Sequence, residues 1–327
     1  MCSDKVGPRM PGVVAFALYD WHYFFAQLVA GLTLGSLYAL LALGYTMVYG
    51  ILKLLNFAHG DVYMIGAYIG YFVLTALGGS ESPNVPTGVL IAVMFGVAMI
   101  GCALLGVVIE RFAYRPLRTA PRIAPLISAL GVSFFLQQTA VLLFGPIPKQ
   151  YNTYGLREGE LFETVGTGNF RIQYVQILVI ASAVALMLAL TLLVKRTNVG
   201  KAMRATSFDL EAASMMGINV NYVIAFTFFI GSALAGAAGV MNGLVYQTIQ
   251  PYMGFGAGLK AFTAAVVGGI GNIQGAMLGG MIIGVAETLT IGYLSSTFQN
   301  LIVFAVLVLF MLFRPSGILG SPALQKV

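Results

Sequence analysis

The sequence predicts an all-α polytopic membrane protein with about eight or nine transmembrane helices, and three observations carry that prediction. Of 327 residues, 59% are hydrophobic and only 9% are charged, against about a quarter charged in a soluble domain. Several apolar runs reach the roughly 20 residues that a helix needs to cross a bilayer. The 40 glycines suit tightly packed membrane helices, because small residues let backbones approach. Short-period alternation of polar and apolar residues is missing, which argues against a barrel.

In chain order, residues 1–22 read as a leader and interfacial anchor, with aromatic Trp21, Tyr23 and Phe24 at its edge. The apolar run 23–49 is far longer than a signal-peptide core and is closed by no small-x-small cleavage site, so it reads as a retained first helix. Gly31, Gly35 and Ala39 recur every four residues and so share one face of it. A polar interruption, Leu55-Asn56-Phe57-Ala58-His59-Gly60-Asp61, separates it from spans at 62–78 and 87–109. Arg111, Arg115, Arg118 and Arg122 then stand against a single acid, Glu110. Further spans fall at 124–145 and 174–194, separated by a polar stretch that holds Glu158, Glu160 and Glu163. Lys195, Arg196, Lys201 and Arg204 follow, then a span at 222–246. The next apolar region is broken by Gly268-Gly269-Ile270-Gly271-Asn272 into a short piece, 258–267, and a helix, 275–291. A last span, 299–313, stops at Arg314-Pro315. Residues 23–314 thus form the membrane domain, with a loop at 195–219 and a tail at 315–327.

Basic loops stay on the cytoplasmic side. The two basic loops lie two spans apart, so both can be cytoplasmic, which sets the N-terminus and the Glu-bearing loop outside. If the short piece crosses, there are nine spans and an internal C-terminus; if it re-enters, there are eight. The crossing is preferred. The net charge of +6 is therefore a topology signal and not a nucleic-acid footprint. Cys2, Cys102, His22 and His59 are too few and scattered for a disulfide framework or a metal site.

The 56–61 segment reads either as part of a translocation path or its gate, or as a cytoplasmic turn with Asp61 capping the next helix or pairing with Lys53. Gln137, Gln138 and Asn242 lie mid-span as candidate path residues. They serve equally well as glue between helices, about 0.6 kcal/mol each, and glue is the favoured reading. Asn272 joins the path candidates through an echo: Asn56 to Gly60 followed by Gly66 and Gly70 resembles Asn272 to Gly275 followed by Gly280 and Gly284. Composition alone produces such echoes too. Glu287 is placed at headgroup level near the outer end of its helix. The chain lacks the Gly-Lys-Ser/Thr ending that cradles nucleotide phosphates. Any ATP-driven step therefore falls to another subunit, and no nucleophile–base pair suggests an enzyme.

The segment Glu211-Ala212-Ala213-Ser214-Met215-Met216-Gly217 consists of helix formers ended by glycine. It also resembles the Glu-Ala-Ala, three residues, Gly pattern of ABC importer permeases. Five blocks resemble, in this order, the LivH-type permease of branched-chain amino acid ABC importers: GLTLGSLYALLALGYTMVYG, LNFAHGDVYMIGAY, ERFAYRPLR, EAASMMGIN and YMGFGAGLKAFTAAVVGGIGNIQGAMLGG. The resemblance runs from about residue 28 to 320 and is weakest in the leader and in 146–173. It implies an importer permease of leucine, isoleucine and valine in the bacterial inner membrane, working by alternating access. It also implies a second homologous permease, two ATP-binding subunits that bind the ATP, and a periplasmic binding protein. No cofactor in this chain and no nucleic-acid partner are expected. On the resemblance, Glu211, Ala212, Ala213 and Gly217 belong to a coupling helix flanked by Arg204 and Asp209. One departure is that Thr227-Phe228-Phe229-Ile230 stands where the broader importer pattern has Ile-x-Leu-Pro. Urea and amide ABC permeases share this layout. A self-powered carrier or channel would place ionisable relays in its spans, and the spans hold almost none.

Overall fold

In the computed structural model, residues 21–77, 86–118, 120–121, 123–151, 164–165 and 172–320 are described. The leader to residue 20, Arg122, the acidic part of the outer loop and the tail beyond 320 fall outside them. The helices are α1 (Trp21–Leu52), α2 (His59–Ala76), α3 (Thr87–Ile109), α4 (Ile123–Phe144), α5 (Tyr174–Arg196), α6 (Asn198–Phe208), α7 (Leu210–Met215), α8 (Val220–Tyr246), α9 (Met253–Gly268), α10 (Ile273–Tyr293) and α11 (Gln299–Phe313). Among the described residues four short strands accompany them: β1 (Lys149–Gln150), β2 (Thr164–Val165), β3 (Ile172–Gln173) and β4 (Thr248–Ile249). Seven of the helices are long and apolar enough to cross a membrane. With α2 and the 16-residue α9 they make nine among the described residues. The chain is a multi-pass helical membrane protein.

Small residues join the inner helices. The expected small face of α1 lies against α10, antiparallel to it: Gly31 faces Val285, Gly35 faces Met281, and Ala39 faces Gly280. A Cβ on Gly284 would collide with the backbone of Gly35. A second seam joins α2 to α8, where Gly66 meets Gly236. Such closeness gives the dispersion contacts that hold helices together in lipid. The outer helices are different. Of α11's described residues only Val303 is buried, and Leu142 of α4 and Leu188 of α5 are exposed, as suits a surface facing acyl chains or another apolar chain.

The two faces of the bundle can be told apart. Tyr23 donates its hydroxyl hydrogen to Gly292 O (3.1 Å), which puts the start of α1 beside the end of α10. A two-residue antiparallel ladder joins β1 to β4, tying the exits of α4 and α8 together. At the other face, α3 runs on through a π-helical turn, Glu110–Tyr114, and a short 3-10 turn. There Arg118 pairs with Glu110 and donates to Asn221 at the start of α8. The tail folds under α9 at this same face: Ile318 N donates to Val267 O and Leu319 N to Gly268 O. Helix α9 starts where Gly254 meets Gly60 at the head of α2 and ends at this basic face, so the bundle agrees with the eight or nine spans expected.

The break after α1 is deeper than a surface turn. Lys53 takes a positive φ of 54° and ends the helix. The His59 ring then lies against Gly44, eight residues before the end of α1, or about 12 Å back along the helix. Helix α2 therefore begins inside the bundle. It starts three residues earlier than the sequence suggests, so His59, Gly60 and Asp61 form its buried first turn and not a loop.

Candidate functional sites

A cavity of about 440 Å³ lies among α1, α2, α8, α9, α10 and α11. Its outer rim is made by the helix ends, with Gln250, Gln299 and Asn300. Its walls are mixed: Leu34, Leu37 and Leu41 along α1 and Ile291 opposite are aliphatic, while Tyr63, Asn242 and Tyr246 bring polar groups. Deeper in stand Tyr38, Lys260 and Glu287. Lys260 is seven residues into α9, and Glu287 is six before the end of α10, about 9 Å back from that end. Lys260 Nζ donates to Glu287 Oε1 at 2.5 Å. The Tyr38 hydroxyl donates to Oε2 at 3.0 Å. The side chains of Lys260 and Glu287 are only 13% and 4% exposed, so this is a buried pair at the edge of an open space.

A second polar cluster lies beside the cavity. Asp61, fully buried, accepts from Ser133 Oγ at 2.5 Å and from Gln137 Nε2 at 3.0 Å, both on α4. Lys53 does not reach it and donates instead to Gly50 O. Gly60 and Gly254 touch through their backbones, which seats Asp61 against α9. Asn56 accepts from the Tyr114 hydroxyl at 2.9 Å. His59 is buried with its ring edge-on to Tyr45, centroids 4.9 Å apart. Of the other candidates, Asn242 lines the cavity, whereas Gln138 is exposed on α4. Asn272 lies at the opposite face, where it caps α10 by accepting from Gln274 N and Gly275 N and donates to Leu319 O. The asparagine echo is therefore partial: Asn272 caps its helix, while the Asn56 oxygen serves Tyr114.

On the basic face, α6 and α7 form a projection. Thr197 caps α6 through Gly200 N (3.0 Å). Asp209 caps α7 by accepting from Glu211 N (2.9 Å) and Ala212 N (3.1 Å). At the far end Gly217 takes φ 82°, and Ile218 N bonds Ala213 O across it. That conformation is cheap only for glycine, which accounts for its place in the motif. Ala213 is buried and seats the projection, while Arg204, Glu211 and Ala212 are exposed. Phe208, Met215 and Met216 are 90%, 85% and 82% exposed.

Residues 27–312 match a family model described as the permease component of the branched-chain amino acid transport system. The chain belongs to this permease family. It is 46% identical over 306 residues to the high-affinity branched-chain amino acid transport system permease protein BraD of Pseudomonas aeruginosa, covering 94% of this chain and 99% of that one. It is 45% identical over 311 residues to the permease LivH of Escherichia coli, covering 93% and 98%. A probable LivH permease of Methanocaldococcus jannaschii is 30% identical over 292 residues, covering 87% and 89%.

For a member of this permease family the sequence reading missed one group and misplaced another. Glu287, expected to be solvated at headgroup level, is instead buried, with α1 and α9 supplying its two partners. Lys260 drew no attention as a site. Yet Lys260 is the one charged residue of α9 and Glu287 the one of α10. Two lone opposite charges in neighbouring apolar helices were the signal that could have joined them, since each alone is costly in a membrane.

Proposed function

We propose that this chain is the membrane-spanning subunit of an ATP-binding-cassette importer that carries branched-chain amino acids through the bacterial inner membrane by alternating access. Partner ATP-binding subunits bind and hydrolyse the ATP, a second homologous permease completes the path, and a periplasmic binding protein delivers the solute. The chain itself needs no cofactor.

The observation that carries this reading is the α6–α7 projection, capped at both ends and bare at Phe208, Met215 and Met216. A chain without a phosphate-cradling loop must receive the work of ATP mechanically, and a rigid exposed helix pair on the basic face fits that task. Arg204, Glu211 and Ala212 face the contact, Asp209 and Gly217 cap the helix that presents it, and Ala213 seats that helix on the bundle. Asn242 belongs to the path through the cavity, and Asn56, His59, Asp61 and Gln137 form the polar seam beside it. Gln138 and Asn272 lie outside the cavity and are left out of the path. The substrate class follows from the names of the relatives and from the aliphatic part of the cavity wall.

The test is uptake of labelled leucine, and separately of urea, into proteoliposomes with and without the partner subunits, binding protein and ATP. Leucine uptake only in the full set with ATP is expected. Urea uptake would change the substrate; uptake by this chain alone would overturn the coupling. In the full set, Glu211→Arg is expected to cut uptake by about tenfold or more, within the range of ordinary coupling energies. Unchanged uptake in an assembled complex would remove Glu211 from the contact.

A further inference from the structure

We infer that Lys260 and Glu287 together form a transit receptor for the backbone of a zwitterionic amino acid, Glu287 taking its ammonium and Lys260 its carboxylate. This rests on the proposed transport of amino acids and adds to it a site on the permease itself.

The argument starts from cost. Burying two charges is unfavourable, and an apolar pair of similar volume would hold α9 to α10 as well or better. Ionisable groups inside a membrane mark solute paths by default. Position supports this. The pair does not lie sealed between helices but lines a cavity of about 440 Å³, within the usual range of small-molecule sites.

The chemistry is matched as well. An ammonium has three donors, and Lys260 directs one to Glu287 Oε1. Each carboxylate oxygen has two acceptor directions, and Lys260 and Tyr38 take one on each oxygen of Glu287. A neutral solute bearing both charges can add to this pair, or exchange one ion pair for two, without leaving a charge unmatched. A solute with one charge would leave its counterpart unbalanced, and an uncharged one would leave the pair closed on itself. The aliphatic side chain would lie on Leu34, Leu37 and Ile291. Since the resident pair competes with the ligand, affinity is low, which suits a site that must release its solute.

The test uses the purified permease–ATPase complex without binding protein or nucleotide. Saturation-transfer NMR is run with leucine, with leucinol (no carboxylate) and with 4-methylpentanoate (no ammonium). Leucine is expected to bind at least about fivefold more tightly than either half-ligand, a modest loss for one missing charged contact. Equal binding of the three would overturn the receptor, and that comparison needs no variant. The variant K260M/E287M removes both charges without orphaning either. It is expected to lose leucine binding and, in the full reconstituted set, to lose leucine uptake. If the pair is only a structural pin, the single variants would fail and the double variant would recover uptake, overturning the inference. The two readings fail separately: a wild-type complex that does not import leucine sinks the proposed function, whereas a wild-type level of uptake in K260M/E287M sinks the receptor alone.

Discussion

Asp61 and Glu287 are both carboxylates held out of water, and their neighbours are opposites. Asp61 is met by a hydroxyl and an amide, neutral donors on one helix, and is pressed against the backbone where Gly60 meets Gly254. Glu287 is met by a cation from one helix and a phenol from another, with open space beside it. Neutral donors tolerate replacement of the acid by an amide; a buried cation does not. The first arrangement fixes a helix start in place, and the second holds charge ready at the edge of a void.

Four single variants and one double variant would break or sharpen that contrast. Glu287→Leu leaves Lys260 buried and unpaired, at an expected cost of about 3–5 kcal/mol, and adding Lys260→Met should recover most of it. Thermal unfolding of the purified complex measures both, and a single variant as stable as wild type would mean that the pair is already open to water. Gly60→Val forces a branched side chain into the Gly254 backbone, with an expected loss of about 1–3 kcal/mol. An unchanged melting temperature would show the α2–α9 contact to be loose. Asp61→Asn keeps an acceptor for Ser133 or Gln137, and about 1–2 kcal/mol is expected; a loss as large as that of Glu287→Leu would point to a cation beside Asp61. Asp209→Ala concerns an acid at the surface. It removes a cap worth about 1 kcal/mol, so faster hydrogen exchange at the Glu211 and Ala212 amides is expected with no shift in global melting.

The contrast also shows what a sequence can reveal. Helix bounds were legible where apolar runs end in charges or turn residues: α3 and α11 lie at 87–109 and 299–313 as read from the chain. The small face of α1 was legible too, although not its partner α10. The start of α2 was not, because His59, Gly60 and Asp61 look like a loop until α4 and α9 are packed over them. The expected pairing of Asp61 with Lys53 failed for the same reason, since its real partners lie 72 and 76 residues away. The Lys260–Glu287 pair spans 27 residues and the turn between two helices. Periodicity reports one helix at a time and is silent on which neighbour a lone charge will meet.

The tail beneath α9 sets an order of events during synthesis. The last carbonyls of a helix need partners from elsewhere, and α9 receives two of its own from Ile318 and Leu319, about fifty residues later in the chain. The helix that carries Lys260 is therefore left unfinished while α10 and α11 are made and inserted. Its basic-side end closes only once Ile318 and Leu319 have been made, so a chain truncated before Gly317 would leave the Val267 and Gly268 carbonyls without these donors.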